Sequence, residues 1–300
     1  MRKLVIGSRG SQLALWQANH VATRLREFGT ATSIEIIRTT GDHLQTASLA
    51  QAGGKGLFTK EIEDALLAGT IDLAVHSLKD LPTEMPSGLV LAAIPLRESP
   101  FDALVGSTLD ALPKGSRVGT SSGRRGAQLR MLRPDLDIQP IRGNVDTRLR
   151  KQKNGEFAAI LLAAAGLRRL GLEHEISELL SPEQMCPAPG QGALAIETRP
   201  DDTAFERCRV LNHEQTANAV LCERTVLARL GGGCQLPVGA FAEYVSNHIR
   251  ASAIVVAPDG SRFLRESGIN TKPDELGGML AERLLARGAA ELLSFAVEAS

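Results

Sequence analysis

Aromatic side chains are scarce in this sequence: they make up 3% of 300 residues, with one Trp and one Tyr. Platforms that hold single-stranded nucleic acid stack bases on aromatic rings, so that class of function is poorly supplied. A surplus of one charge is also missing, because Lys and Arg total 34 and Asp and Glu total 34. General attraction to nucleic acid or to an acidic membrane surface is therefore not expected, and an anionic ligand must be met by a local basic patch. Cysteine is sparse. Cys186, Cys208, Cys222 and Cys234 lie far apart, with no C-x-x-C pair and no Cys/His cluster at zinc spacing. Neither a disulfide framework nor a metal site is expected, and reduced thiols are the default. Long apolar runs are absent. Met1-Arg2-Lys3 is followed only by Leu4-Val5-Ile6 before Gly7, too little for a signal peptide or a membrane span, so a cytoplasmic location is expected.

What is present is an alternation. With 43% hydrophobic residues, a chain of this length can bury sizeable cores and divides into two or three domains. Up to about residue 200, short β-rich runs alternate with helical patterns, which reads as α/β with largely parallel strands. The candidate strands are 4–6, 33–38, 71–75, 89–94, 103–105, 117–119, 137–141 and 159–162. Leu13, Trp16, Val21, Leu25 and Phe28 form an apolar stripe at roughly helical spacing, and 57–67 and 126–132 read as further helices. Pro95–Pro100 and the run Met185-Cys186-Pro187-Ala188-Pro189-Gly190-Gln191-Gly192 read as boundaries. After a helical stretch over 214–230, runs at 249–256 and 262–266 and a final helix near 273–287 read as a small α+β domain. No internal repeat or low-complexity tract is found.

The arginines fall in a pattern. Arg9 lies between the first strand and the first helix; Arg124 and Arg125 follow Val118-Gly119-Thr120-Ser121-Ser122 and open the next helix; Arg142 ends a strand, and Arg148 lies one turn into the helix after it. A helix N-terminus is partially positive, so each cation there costs up to ~1 kcal/mol unless an anion sits between them. One such arginine is an ordinary solvated side chain, but the set points to a bound polyanion at the carboxyl ends of the strands.

Three further segments carry chemistry. Gly53-Gly54-Lys55-Gly56 fails as a phosphate loop, because Gly56 stands where Ser or Thr is needed and Leu49 where the first Gly is needed; a glycine hinge or lid carrying one lysine fits better. His76-Ser77-Leu78-Lys79-Asp80-Leu81-Pro82 follows a strand directly and sets Asp80 beside the anion site. Asp80 is either an arginine counter-ion or a group that stabilises a reaction cation or shuttles a proton. Gly231-Gly232-Gly233-Cys234-Gln235 leaves a thiol on a bare, permissive backbone that lets a bulky group approach, whereas the other three cysteines read as packing.

Taken in order, Gly7-Ser8-Arg9-x-Ser11-x-Leu13-Ala14-Leu15-Trp16-Gln17, Gly53-Gly54-Lys55-Gly56-Leu57-Phe58, His76 to Pro82, Gly119-Thr120-Ser121-Ser122-x-Arg124-Arg125, Arg142-Gly143-Asn144-Val145-x-Thr147-Arg148, Ala165-Gly166-Leu167-x-Arg169-Leu170-Gly171, Pro189-Gly190-Gln191-Gly192 and Gly232-Gly233-Cys234-Gln235 resemble the hydroxymethylbilane synthases, or porphobilinogen deaminases. The match runs through nearly the whole chain and is weakest after about residue 245. The resemblance implies an α/β fold: two lobes like type II periplasmic binding proteins with a cleft between them, plus a small α+β C-terminal domain. In residue terms it implies a discontinuous first domain (1–95 and 193–211), a second (99–189) and a third (214–300) that carries the cofactor cysteine. It also implies an enzyme, a transferase that condenses four porphobilinogen molecules head to tail with release of ammonia and frees the linear tetrapyrrole by hydrolysis. Dipyrromethane is the implied cofactor, covalent at Cys234. Asp80 is the implied catalytic residue. Lys79, Thr120, Ser121, Ser122, Arg124, Arg125 and Arg142 are implied cofactor contacts, and Arg9, Ser11, Gln17, Lys55, Arg148 and Arg169 substrate contacts. Each pyrrole brings two carboxylates, and planar Arg suits them better than Lys. The implied partner is the small-molecule substrate alone, with no nucleic acid, no membrane and a monomeric state.

Two other readings stay open on the residues themselves. A two-lobed anion-binding module need not catalyse anything, although Cys234 and Asp80 would then be unexplained. An acyl-transfer enzyme with Cys234 as nucleophile would need a partner base, and no Cys–His pairing is visible.

Overall fold

The computed structural model describes residues 2–40, 59–200, 202–232 and 236–298. The chain separates into two compact units, one of residues 1–98 and 193–217 and the other of 99–192 and 218–300.

The first unit is built on β1 (Leu4–Ser8), β2 (Thr32–Ile36), β3 (Leu73–Ser77) and β4 (Val90–Ala93), and the returning chain adds β10 (Leu194–Thr198) in the order β2-β1-β3-β10-β4. β1 runs parallel to β2 and β3, but β10 lies antiparallel between β3 and β4. The sheet is thus mixed, and the expectation of largely parallel strands is corrected. A short buried run such as Leu194–Thr198 carries no sign of its direction.

Side chains alternate across these strands with a period of two. Leu4, Ile6, Leu73, Val75 and Ile196 pack with Ala18, Val21 and Leu25 of the first helix, α1 (Gln12–Glu27). Ala74 faces the other way and packs with Ile62 and Leu66 of α2 (Lys60–Leu67). Ser11 caps α1, its hydroxyl accepting from the Ala14 N–H at 3.3 Å. The expected stripe is rotated: Val21 and Leu25 are fully buried, whereas Trp16 and Phe28 are exposed, and Trp16 stacks on His20 one turn along. Gln17 takes the buried place instead.

The second unit holds two sheets. The first has order β7-β6-β8-β5-β9, from β5 (Asp102–Val105), β6 (Arg117–Gly119), β7 (Asp137–Gln139), β8 (Ala159–Ala163) and β9 (Ile176–Leu180). It is also mixed, with β6 parallel to β7 and β8 and β5 antiparallel to β8 and β9. α3 (Gly123–Leu132), α4 (Val145–Lys153) and α5 (Ala164–Arg169) accompany it. The second sheet is an antiparallel meander of β11 (Val238–Val245), β12 (His248–Val256) and β13 (Phe263–Asn270), packed against α8 (Pro273–Ala286) and α9 (Ala289–Glu298). Between α5 and α8 in the chain come α6 (Thr203–Cys208) and α7 (Glu214–Arg229). Ala127 of α3, Cys186, Ile254 and Val256 form an apolar cluster joining the two sheets.

Candidate active site

In the first unit, a recess of about 90 Å³ opens where β1 and β3 end. Arg9, Ser11, Leu13, Ala14, Gln17, Thr59, Ile62, Val75, His76, Ser77 and Asp80 line it. Four residues named from the sequence, Arg9, Ser11, Gln17 and Asp80, thus meet in one place. Local structure explains each. The β1 strand ends at Ser8, so Arg9 enters the turn, and Ser11 is fixed by its capping bond. Gln17, nearly two helical turns on, is buried and donates from Nε2 to the Ser77 hydroxyl at 2.9 Å. A 3₁₀ turn over Leu78–Asp80 follows β3 directly; it buries Leu78 and leaves Asp80 exposed at the mouth. Lys79 in the same turn is half-buried.

Two polar lining residues that belong to the matching motifs have no implied role, His76 and Ser77. His76 is buried, and its Nε2 lies 3.0 Å from Oε2 of Glu197 on the neighbouring β10. These residues are 121 positions apart, so only the insertion of β10 beside β3 brings them together.

The second unit holds the paired arginines. Ser122 caps α3, accepting from the Arg125 N–H at 3.4 Å, and this sets Arg124 and Arg125 in the first helical turn. Both are buried, at 5% and 6% exposure. Asp102, fully buried at the start of β5, receives them both: Arg124 donates from Nη1 at 2.7 Å and Nη2 at 3.2 Å, and Arg125 from Nε at 2.7 Å. Gln191 Nε2 adds a bond at 3.0 Å. Burial alone would raise the Asp102 carboxyl, but the two guanidinium charges and the bonds from Arg124 and Gln191 hold it far below the usual carboxylate range.

The anion called for by cations at this helix start is therefore supplied in part by the chain itself, which corrects the inference that an external polyanion alone explains Arg124 and Arg125. Two cations still face one carboxylate. Arg124 Nη1 also donates to the Cys186 carbonyl at 2.8 Å, while its Nε is buried with no partner. Sequence reasoning missed Asp102, whose signal is a lone charge opening the apolar run Ala103-Leu104-Val105.

The other named residues sit nearby in the chain's local structure. Thr120 is buried at the end of β6, and Ser121 donates to the Ile141 carbonyl at 2.8 Å. Arg142 follows β7 half-buried; Arg148 in α4 donates from Nε to the Gly143 carbonyl at 2.7 Å, and Arg169, buried at the end of α5, donates to the Gly192 carbonyl at 2.6 Å. Lys55 and Cys234 lie outside the described residues. Burial pushes the thiols of Cys186, Cys208 and Cys222 up to about 12, as expected of packing cysteines. Among the described residues, no group of His, Cys, Asp and Glu could hold a metal ion, and no helix is long and apolar enough to cross a membrane.

A buried guanidinium pair with excess positive charge and an unpartnered Nε suits a group rich in carboxylates, as dipyrromethane is.

Known proteins match the chain over most of its length. The family model "Porphobilinogen deaminase, dipyromethane cofactor binding domain" matches residues 4–207, and "Porphobilinogen deaminase, C-terminal domain" matches 217–286. The porphobilinogen deaminase of Thiobacillus denitrificans is 50% identical over 98% of this chain and 98% of its own. That of Nitrosomonas europaea is also 50% identical, over 98% of both. Among solved structures, the methionine-binding protein MetQ aligns over 73% of this chain and 94% of its own, at 13% identity and a TM-score of 0.46. The two domain matches and the near full-length relatives leave one assignment: the chain belongs to the porphobilinogen deaminase (hydroxymethylbilane synthase) family.

Proposed function

We propose that this chain carries dipyrromethane on Cys234 and uses it to condense four porphobilinogen molecules, releasing ammonia at each addition and finally hydroxymethylbilane. The observation that carries this reading is the recess holding Arg9, Ser11, Gln17 and Asp80, a cation and a carboxylate at one strand-end opening in a chain of this family. The cofactor supplies the primer, a pyrrole carbon on which the chain grows.

The protein's part is binding, orientation and charge. Arg9, Ser11 and Gln17 orient the acetate and propionate groups of porphobilinogen, with Lys55, Arg148 and Arg169 as further substrate contacts. Lys79, Thr120, Ser121, Ser122, Arg125 and Arg142 hold the cofactor's carboxylates. Arg124, whose Nε has no partner, belongs to the same set, and Asp102 keeps it in register with Arg125. When ammonia leaves porphobilinogen a carbocation forms, and the arginines oppose it. Asp80 at ~4 Å offsets this by about 4 kcal/mol at an effective dielectric near 20. The balanced total charge supports a small-molecule partner over nucleic acid or an acidic membrane surface, and the same proposal takes the chain as a monomer working in the cytoplasm.

Intact mass tests the reading. The protein should carry a stable addition of two porphobilinogen-derived units, and Cys234→Ser should fold yet lack both that addition and polymerising activity. A fully active Cys234→Ser protein of unmodified mass would overturn it, and a wild-type protein that binds porphobilinogen without any covalent addition would favour a plain anion-binding module.

A further inference from the structure

Beneath the recess lies a buried titratable set that the reading above does not use. His76 is 7% exposed, Glu197 fully buried and Glu63 of α2 8% exposed. β3 and β10 are antiparallel with Ala74 opposite Glu197, so Ala74, His76 and Glu197 project from the same face of the sheet, the face covered by α2. Burial, reinforced by the charge of Glu197, raises the Glu63 carboxyl above its ordinary range. Two buried carboxylate oxygens, Glu197 Oε1 and Glu63 Oε1, have no hydrogen-bond partner.

A purely structural ion pair satisfies its oxygens, because stranding a buried polar atom is costly. Here that cost is retained directly under the wall of the recess that holds Asp80. With His76 Nε2 as the donor to Glu197, Nδ1, which has no hydrogen-bond partner among the described residues, is the atom left to accept a proton. A carboxylate behind an imidazole also stabilises the imidazolium that forms when Nδ1 takes a proton.

We propose that His76, oriented by Glu197, is the proton acceptor of this recess and takes the proton released when each new carbon–carbon bond forms. The inference rests on the function proposed above. The balance is simple. Porphobilinogen leaves its ammonium nitrogen as neutral ammonia; its methylene carbon bonds to a free pyrrole α-carbon; the electron pair of that carbon's C–H bond restores the aromatic ring; and the proton passes to His76 Nδ1. From there it goes to ammonia or water, returning the imidazole to its starting state. Among the described residues, the other charged groups at this site are Glu197 from β10, Glu63 and its neighbour Asp64 from α2, Arg9 from the β1–α1 turn and Asp80 beyond β3. Asp80 stabilises the cation and His76 removes the proton, so the two stages have separate groups.

The test uses cofactor-loaded protein with ¹⁵N-labelled histidine, and porphobilinogen deuterated at its free α-carbon. His76→Gln keeps a donor for Glu197 but has no base; Glu197→Gln keeps the imidazole but removes its carboxylate. In the wild type, ¹⁵N spectra should show the proton on Nε2 and an unprotonated Nδ1, and Glu197→Gln should redistribute it. Elongation should slow by ~10²-fold or more in His76→Gln and acquire a primary deuterium isotope effect that the wild type lacks. If His76→Gln fails to fold, Glu197→Gln carries the kinetic arm, with slowing of at least tenfold expected. A wild-type Nδ1 that bears the proton, or elongation without slowing or isotope effect in whichever variant folds, would overturn the role of His76. A wild type that releases no ammonia from porphobilinogen would instead overturn the proposed function.

Discussion

Asp102→Asn is the substitution whose consequence follows most directly from geometry. Asn keeps the size of the side chain and one acceptor oxygen, but it removes the charge and turns an amide N–H₂ toward guanidinium donors. Asp102 is fully buried and accepts four side-chain bonds, two from Arg124, one from Arg125 and one from Gln191. Breaking a buried pair by removing one partner costs about 3–5 kcal/mol, chiefly because the remaining charge is stranded, and here two guanidinium groups are stranded. Against a total stability of ~5–15 kcal/mol, that is about a fifth or more. Urea unfolding followed by circular dichroism measures it; with a slope of ~1–3 kcal/mol per molar, the midpoint should fall by roughly 1–5 M with little change in slope.

The pH dependence has a definite sign. The Asp102 carboxyl is depressed in the folded state, so its contribution is present above the ordinary carboxylate range and disappears only as pH falls through the lower folded value. The gap between wild type and Asp102→Asn should therefore persist at pH 4. Glu27→Gln, at an exposed pair with Arg24 at 2.7 Å, is the control and should be close to silent. A loss below ~1 kcal/mol for Asp102→Asn, or a gap that closes by pH 5, would refute the argument.

Two further outcomes follow. Asp80→Asn in protein already loaded with cofactor should lower single-turnover ammonia release by ~10²–10⁴ while the protein stays folded, since Asp80 is exposed; near-normal release would return it to the role of a counter-ion. Thiol alkylation of cofactor-free protein at pH 8 should modify Cys234 alone, because burial holds the other three thiols near 12; labelling of Cys186, Cys208 or Cys222 at a comparable rate in the folded state would contradict that burial.

The sequence revealed what local chemistry determines. The turn after β1 places Arg9, the cap at Ser122 places Arg124 and Arg125, and a strand ending at Ser77 places Asp80; each depends on neighbours within a few positions. It was silent where distant segments meet. β5 and β10 are short, buried and antiparallel, and nothing in Asp102–Val105 or Leu194–Thr198 records which strands flank them. The carboxylate that Arg124 meets stands 22 positions earlier, and the pairing of His76 with Glu197 spans 121. The stripe on α1 misled through Trp16 and Phe28, since an apolar residue at the margin of a helical face stays exposed when its neighbours suffice to cover the sheet.

The placement of β10 also sets an order of events during synthesis. Among the described strands, β4 pairs with β10 alone and β3 is paired on one side until β10 arrives, so the first sheet cannot close when residue 98 emerges. It must wait until Thr198 has been made, while the whole of the intervening sheet, β5 to β9, is already available to fold. At ~5–20 residues per second, the hundred or so intervening residues take on the order of 5–20 s. During that interval the edges of β3 and β4 are open to pairing with other chains, and the half-made protein is at its most vulnerable to aggregation. The last strand to join the first unit is also the one that brings Glu197 to His76.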